Sequence, residues 1–184
     1  MSIDHPIGEL LMDDCEAELL GQVGDGFRCA MTTLDTFRIS VGAAANGMAT
    51  AALDDSIEHV SKRVQFGKTL SRQQLVQGYL AEMATDLDAA RLLVARAAYR
   101  KDMGGARASK EVAMAKLFAT EAAQRIVDKA VQLHGGRGVL LGSRVEALYR
   151  DIRPLRIYEG TSEIQKLIIA RSLLRPPSSG GSKA

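Results

Sequence analysis

Apolar residues recur along most of this chain at intervals of three and four, the spacing that lines up side chains on one face of an α-helix. Glycines and a proline interrupt the pattern, as at Gly67, Gly135-Gly136 and Pro154. Several long amphipathic helices with short connections and almost no strand signal predict an all-α fold, an up-and-down helical bundle. The predicted helices cover residues 27–35, 38–64, a stretch capped by Ser71 that ends near Met103 at Gly104-Gly105, and residues 109–134, 144–151 and 161–174.

The predicted helix over residues 38–64 carries an unusual number of small side chains. Gly42, Gly47 and the alanines around them would let another helix approach its backbone closely. A small-residue surface of this kind can serve inside the bundle or between copies of the chain. It is one ground for expecting a homo-oligomer, a dimer or a tetramer, with the closed symmetry that soluble oligomers usually have.

The two ends of the chain lack helical periodicity. Residues 3–23 indicate an irregular or β segment, with a short strand around 7–12, a turn at Asp13-Asp14 and several glycines after it. Residues 176–184 are polar and rich in proline and glycine, a composition typical of disorder. We therefore expect three parts: a segment over 1–23, a helical bundle over 24–175 and a disordered tail over 176–184.

Length, charge and cysteine content exclude several classes of protein. A chain of 184 residues is long enough for one domain with a sizeable core. With 24 basic and 22 acidic residues the formal charge is only +2, which argues against a nucleic-acid partner. No apolar run is long enough for a membrane helix, and the first residues do not resemble a secretory signal. Two cysteines make no disulfide framework, so a reducing, cytoplasmic location is the expectation.

The three histidines offer no metal site. A metal-binding bundle of the ferritin type uses Glu-x-x-His pairs that project into its core. The residues three positions after Glu82, Glu111 and Glu121 are threonine, methionine and glutamine instead. We therefore predict no metal in this protein.

The segment from Arg156 to Gln165 carries the clearest candidate chemistry. Glu159 precedes Gly160, which permits backbone angles that a side chain would disfavour. Ser162, with Gln165 three residues later, fits a capping box that starts a helix, and a helix N-terminus suits an anion such as phosphate. On spacing alone, a capped helix start with an incidental glutamate is sufficient to explain this segment.

Four short motifs stand out along the chain: LDTFR at 34–38, RVQFGK at 63–68, QLHGGRG at 132–138 and IYEGTSEIQ at 157–165. Together they resemble the signatures of acyl-CoA dehydrogenases, in that family's order and spacing. The resemblance runs from about residue 21 to residue 174, which is nearly the whole chain. It implies the same helical architecture that the periodicity predicts.

The resemblance implies α,β-dehydrogenation of an acyl-CoA thioester, in which a base removes the α-proton while a hydride leaves the β-carbon for FAD. Glu159 stands at the position of the base in many members, with Gly160 against the thioester, although some branches place the base elsewhere. Because the α-proton is weakly acidic, the base needs a raised pKa, which burial supplies. Asp35 and Arg38 match a substrate-contact segment, and Phe37 stands where the family often has glycine.

The resemblance also implies contacts to FAD. In the family, the segment matching 132–136 contacts the FAD of a neighbouring subunit, and the residue matching Arg63 faces the pyrophosphate. Simpler explanations stay open, because Gly135 also ends a helix, Arg63 is a cation favoured at a helix C-terminus, and the 161–163 run is a helix start. The candidate cofactor residues are Arg63, Phe66, Gln74, Gln132, Gly135, Gly136, Thr161, Ser162 and Glu163.

Full-length acyl-CoA dehydrogenases place an N-terminal helical domain and a central β-domain before the helical bundle. Residues 1–23 resemble the end of the β-domain, so we expect this chain to hold the base and one side of the FAD site. It would act within a larger enzyme, or with a partner subunit that carries the other domains, and would be inactive alone. The alternative is a non-catalytic helical oligomerisation module, and a flavin-coloured preparation would favour the enzyme.

Overall fold

The computed structural model describes residues 8–103 and 108–174, and its regular elements are almost all helical. Within this part of the chain, five α-helices pack together, so the predicted all-α helical bundle is confirmed. The helices are α1 (Gly26–Lys62), α2 (Gln74–Asp102), α3 (Ser109–His134), α4 (Arg144–Ile152) and α5 (Ser162–Leu174), with 3-10 turns at Leu70–Arg72, Gly135–Val139 and Arg153–Arg156.

Helix α3 lies at the centre of the bundle and packs against the other four helices. Its buried face is largely alanine and valine, so neighbouring helices approach it closely. The small residues of α1 have the same effect, since a Cβ added at Gly42 would lie only 3.0 Å from a methyl group of Val94 on α2. The apolar stripe predicted for α3 is buried throughout: Val112, Ala115, Ala119, Ala122, Ile126, Ala130 and Leu133.

The stripe predicted for α2 is correct only from Met83 onward. Leu75 and Tyr79 were expected to be buried with it, yet they are 81% and 38% exposed. Burial on α2 begins at Met83 and continues to Ala97. In the first two turns of α2, Val76 and Leu80 are the residues that pack against the core, so the inward face there lies one position later than the predicted stripe.

Helix α1 covers Gly26–Lys62 as one element, where the sequence pattern predicted two helices over 27–35 and 38–64. Helix α1 runs without interruption for 37 residues. Nothing between Phe27 and Val41 breaks it, because the stretch has no glycine or proline and its threonines bond to carbonyls one turn back. Thr32 Oγ1 donates to the carbonyl of Arg28 at 2.9 Å, and Thr36 Oγ1 donates to that of Thr32 at 3.3 Å. The threonines of this stretch are thus accommodated within the helix.

A two-residue hairpin follows α1 and was not predicted. Strand β1 (Val64–Gln65) pairs antiparallel with β2 (Lys68–Thr69). Phe66 and Gly67 join them with φ values of 53° and 75°, the positive pair that a tight hairpin turn of type I′ requires. Strands this short leave no alternation in the sequence, so only the glycine marked the turn.

The short strand expected near residues 7–12 is absent from the described residues, which are irregular and exposed from 8 to 23. A single strand needs a neighbour to receive its backbone hydrogen bonds, and the described part of the chain offers none there. The bend expected at Asp13-Asp14 is present, with Asp14 at a φ of 47°.

Ser71 does not cap α2 as predicted. The helix begins three residues later at Gln74, and the Ser71 hydroxyl instead lies 2.9 Å from the hydroxyl of Thr69 in the preceding turn. The predicted helix stop at Gly104-Gly105 and the predicted tail at 176–184 lie outside the described residues. Among the described helices, none combines the length and apolar character needed to cross a membrane.

Candidate active site

The loop over residues 157–161, here called the Glu159 loop, links the 3-10 turn after α4 to the start of α5. Pro154 opens this turn, and its carbonyl accepts bonds from the backbone N–H groups of Ile157 at 2.8 Å and Tyr158 at 3.1 Å. The chain then passes through two left-handed residues, Glu159 at a φ of 54° and Gly160 at 90°. A positive φ at a residue with a Cβ is uncommon, so surrounding contacts must hold Glu159 in place.

Three side chains hold the backbone carbonyls of the Glu159 loop. Arg38 Nε from α1 donates to the Glu159 carbonyl at 3.0 Å. Lys116 Nζ from α3 donates to the Gly160 carbonyl at 2.9 Å. Gln165 Nε2 from α5 donates to both carbonyls, at 3.3 and 2.9 Å. The loop is thus fixed from three different helices, and the side chain of Glu159 is left available for other contacts.

Gly160 is required by this arrangement on two grounds. Its φ of 90° is one that L side chains rarely adopt. A Cβ at this position would also lie 2.8 Å from Gln165 Nε2 and 3.3 Å from Arg38 Nη2, closer than ordinary contact. A side chain at position 160 would therefore disturb the groups that hold the loop.

The carboxylate of Glu159 is partly buried, and within the described residues its Oε2 atom is buried without a hydrogen-bond partner. Burial raises the pKa of Glu159, and the positive charges of Arg38 and Lys116 oppose that rise. A carboxylate with a raised pKa and an unused oxygen can act as a general base.

Sequence reasoning missed Lys116, which is fully buried on the packed face of α3. Burial and the nearby charge of Arg38 lower the pKa of Lys116 to about 8, while Glu159, Glu121 and Glu163 oppose that fall. A signal for it existed in the sequence. The lysine lies one helical turn from apolar positions on both sides, on the face that the periodicity assigns to the core.

Asp35 and Arg38, predicted to contact substrate, lie next to each other beneath the Glu159 loop. Arg38 is 5% exposed, and its Nη1 atom lies 3.0 Å from Asp35 Oδ1. The other carboxylate oxygen of Asp35 accepts a bond from the hydroxyl of Ser109 at 2.6 Å. These contacts give the pair a part in holding the loop, and contact with substrate stays a prediction.

The capping box predicted at Ser162 and Gln165 is wrong. The start of α5 is capped by Thr161, whose Oγ1 accepts a bond from the backbone N–H of Ile164 at 3.4 Å. Ser162 is buried and donates to Glu121 Oε1 at 2.6 Å instead. Gln165 is used by the loop carbonyls, as described above. A contact with α3 determines the position of Ser162, and contacts with the loop carbonyls determine that of Gln165.

Glu121 on α3 also ties the two sides of the Glu159 loop together. The carboxylate oxygen that accepts the Ser162 hydroxyl also accepts a bond from Arg156 Nε at 2.9 Å. Arg156 precedes the loop and Ser162 follows it, so both ends are fastened to one residue. Of the residues predicted to contact flavin here, Thr161 is partly buried and Glu163 is exposed.

Of the other predicted cofactor residues, Arg63 lines a basic cleft at the opposite end of α1. Arg63 follows α1 and lines the cleft with His134, Arg137 and residues of α4, enclosing about 920 Å³. Twenty-five residues separate Arg38 from Arg63 on one straight element, roughly 37 Å at the helical rise. The structure therefore does not bring the Glu159 loop and this cleft together within one chain.

The glycines and the exposed residues beside the cleft leave backbone accessible. Gly135 has a φ of 58° at the end of α3, and neither it nor Gly136 has an atom within 4 Å of a Cβ position. Phe66 is 92% exposed at the tip of the hairpin. Gln74 and Gln132 are exposed as well, so these predicted cofactor residues are all accessible to solvent.

Two histidines stack at the base of the basic cleft. The rings of His59 on α1 and His134 on α3 lie 4.4 Å apart, 25° from parallel. His134 Nδ1 donates to the Ala130 carbonyl at 2.7 Å, since a carbonyl oxygen can only accept. Burial lowers the pKa of His59, and the positive charges of His134, Arg137 and Arg63 add to the effect.

The carboxylates of the cleft already have basic partners. Asp55 pairs with Arg144 at 3.2 Å, and Glu58 pairs with Lys62 at 2.6 Å. The remaining charges that line the cleft are basic, and an anion with several oxygens suits such a surface.

The chain belongs to the acyl-CoA dehydrogenase family, since residues 24–174 match its C-terminal domain. The acryloyl-CoA reductase (NADH) of Anaerotignum propionicum is 47% identical over 170 residues, which cover 91% of this chain and 43% of that protein. The mitochondrial short-chain specific acyl-CoA dehydrogenase of Homo sapiens is 46% identical over 169 residues, covering 90% of this chain and 41% of that protein. The chain therefore spans less than half the length of either relative.

Solved structures lead to the same family. Butyryl-CoA dehydrogenase from Megasphaera elsdenii superposes with a TM-score of 0.80 at 43% identity, covering 83% of this chain and 39% of that one. A structure of PigA with FAD and proline gives a TM-score of 0.81 at 30% identity, covering 84% of this chain and 40% of that one. The resemblance inferred from the four motifs is thus confirmed at the level of family.

Proposed function

We propose that this chain is the C-terminal part of an FAD-dependent acyl-CoA dehydrogenase and that Glu159 is its catalytic base. The observation that carries the proposal is the Glu159 loop itself. Its backbone is fixed by three helices, while one oxygen of its carboxylate is buried with no hydrogen-bond partner among the described residues. Burial raises the pKa of that carboxylate, as removal of a weakly acidic proton requires.

The substrate class proposed is an acyl-CoA thioester. Glu159 would take the proton from the carbon next to the thioester, and Gly160, which has no side chain, would let the thioester approach the loop. The same carboxyl group would return the proton when the reaction runs toward reduction, since each step reverses along its own path. Relatives with names of both kinds, reductase and dehydrogenase, make both directions worth assaying.

The basic cleft suits the pyrophosphate of FAD. Arg63 and Arg137 bring fixed positive charges, and the open backbone at Gly135 and Gly136 allows a phosphorylated group to approach closely. FAD, when bound, would supply the acceptor for the hydride that leaves the β-carbon. The residues of this chain would then bind the cofactor at one end of α1 and move the substrate proton at the other.

The separation of these two sets supports an oligomer. The Glu159 loop and the basic cleft lie beside positions of α1 that are roughly 37 Å apart. One chain therefore cannot supply both to the same FAD molecule and its substrate. A homo-oligomer, in which one copy supplies the Glu159 loop and another supplies the basic cleft, removes the difficulty. Light scattering of the chain at micromolar concentration should give a dimer or tetramer, and a monomer would count against this part of the proposal.

The test of the base is Glu159→Gln in the flavin-loaded assembly that contains this chain. The substitution keeps size and polarity but cannot accept a proton, so turnover with acyl-CoA substrates should fall roughly 10²–10⁴-fold. The visible flavin absorbance should stay. Glu82→Gln, a matched change on α2 away from the loop, should keep wild-type turnover. Wild-type turnover in Glu159→Gln would show that another group is the base.

The competing proposal is a helical oligomerisation module without catalysis. A surface used only for packing would not need a carboxylate that is buried without a partner, because such a group costs stability. The two proposals predict different preparations. An assembly that copurifies with flavin favours the enzyme, and one that remains colourless after reconstitution with FAD favours the module.

A further inference from the structure

Lys116 is the largest fully buried side chain in the described part of the chain, and its charge makes the position costly. A buried ammonium group loses its hydration, and an apolar residue of similar size would avoid that loss. The core around it is otherwise small and apolar along α3. A lysine at this place therefore calls for a reason other than packing.

The contacts of Lys116 all lie toward the Glu159 loop. Its Nζ atom donates to the Gly160 carbonyl at 2.9 Å. That carbonyl already accepts a bond from Gln165 at the same distance. A neutral amide thus duplicates the hydrogen bond of the lysine, and the positive charge of the lysine adds to that of Arg38, the other cation that acts on Glu159.

Four charged groups act on Lys116, and they come from α1, the Glu159 loop, α3 and α5. Arg38 from α1 repels it, and Glu159 from the loop, Glu121 from α3 and Glu163 from α5 attract it. Of the three carboxylates, Glu121 is bonded to Ser162 and Arg156, and Glu163 is exposed. The partly buried carboxylate of Glu159 is the one of the three that acts most strongly on Lys116.

We propose that Lys116 is a positioning residue for Glu159, which holds the Gly160 carbonyl in place and keeps the neighbouring carboxylate ionised until it takes up a proton. The inference rests on the proposed function in giving Glu159 the role of base. Burial alone would raise the pKa of Glu159 further and so reduce the ionised fraction of the carboxylate at a given pH. The positive charge below the loop limits that effect without occupying the carboxylate itself.

The test uses the chain of 184 residues and needs no turnover. Carboxyl ¹³C resonances give the pKa of Glu159 in wild type, Lys116→Met and Lys116→Gln. Lys129→Met is the matched control. It removes a lysine that lies on α3 like Lys116 but pairs with Glu82 of α2, far from the loop. Both changes at Lys116 should raise the pKa of Glu159, and Lys129→Met should leave it unchanged.

A role in packing alone predicts a different result. In that case Lys116→Met would change the melting temperature and leave the titration of Glu159 as in wild type, which would overturn the proposal. Lys116→Gln keeps a donor for the Gly160 carbonyl and removes the charge, so it tests the charge separately. If Lys116→Met does not fold, the pKa of Glu159 in Lys116→Gln decides in the same way.

The coupling must also be reciprocal, because it is an energy shared by two groups. Glu159→Gln should lower the pKa of Lys116 from about 8 by as much as Lys116→Gln raises that of Glu159. Unequal or absent shifts would refute the direct coupling. This outcome is independent of the turnover assay: Glu159 can be the base without the coupling, and the coupling can exist in a chain whose Glu159 is not the base.

Discussion

Basic residues lie at both ends of α1, but their surroundings differ. At the Arg38 end, the side chains of Arg38 and Lys116 are buried and donate hydrogen bonds to backbone carbonyls of the Glu159 loop. At the Arg63 end, basic side chains line an open cleft, and the backbone beside them is bare at Gly135. The first arrangement fixes one carboxylate of the protein itself, whereas the second leaves charge available for a ligand. Burial, more than residue type, therefore decides whether a basic side chain supports the backbone or stays available to a ligand.

The largest effect should come from breaking the buried end with Gly160→Ala. The added methyl would meet Gln165 at 2.8 Å in a backbone conformation that alanine disfavours, at a cost of about 1–3 kcal/mol in stability. The loop would shift to relieve the contact, and a displacement near 1 Å costs on the order of a hundredfold in turnover. Chemical denaturation and steady-state kinetics of the flavin-loaded assembly measure the two effects.

Gly47→Ala is the control for that experiment. Gly47 lies in the middle of α1 with open space around it, so alanine should stabilise the helix by about 0.5–1 kcal/mol. Turnover should stay at the wild-type level. If Gly160→Ala behaves like Gly47→Ala, the conformation of the Glu159 loop does not matter for activity.

A smaller effect should follow from breaking the open end with Arg63→Ala. Loss of one charge-assisted contact is worth about 1.5–3 kcal/mol, so the affinity of the assembly for FAD should fall roughly ten- to hundredfold. The difference in affinity between wild type and Arg63→Ala should shrink as salt is added, because salt screens the attraction between Arg63 and the pyrophosphate. Titration with FAD followed by flavin fluorescence gives the affinities.

Arg171→Ala, an exposed arginine on α5, is the matched control and should bind FAD like wild type. Unchanged affinity in Arg63→Ala would mean that the cleft does not hold the pyrophosphate. Only the buried end of α1 would then have a proposed part in the reaction.

The smallest effect should be a pH dependence of stability at the open end. The pKa of His59 is lowered from its ordinary 6.5 in the folded protein, so the unfolded chain binds that proton more tightly. The free energy of unfolding should therefore fall as the pH drops below about 6.5, and the fall should level off below the folded pKa. His59→Phe keeps a ring for stacking on His134 and should remove this part of the pH dependence.

Thermal melts over a series of pH values measure the effect. Asp54→Asn, a charge change at an exposed position of the same helix, should leave the slope near pH 6.5 as in wild type. An unaltered slope in His59→Phe would assign the acid sensitivity to other groups.

The helices were predictable because their apolar spacing is regular, and the bounds of α3 matched the structure at both ends. The Glu159 loop was also found from the sequence, since a glycine and a motif mark it. Its supports were not. The part of Arg38 in holding the loop and the buried Lys116 were both overlooked, and Ser162 was assigned to a local cap.

Those errors share a physical origin. The contacts of Arg38 with Glu159 and of Lys116 with Gly160 join residues 121 and 44 positions apart, and spacing rules describe only neighbours within a turn or two. A local motif states which bonds a side chain can make, and the packed helices decide which one it does make. The short hairpin after α1 escaped for the opposite reason, because two residues per strand are too few to show a period.

The unbroken length of α1 constrains how this protein can change by insertion or deletion. The twenty-five residues from Arg38 to Arg63 amount to almost seven whole helical turns, so both residues point to roughly the same side of the rod. One residue added anywhere between them would rotate one end by about 100° relative to the other and lengthen the span by about 1.5 Å. Substitutions along α1 can be absorbed one at a time, whereas a single-residue insertion would misalign the two ends of the helix at once.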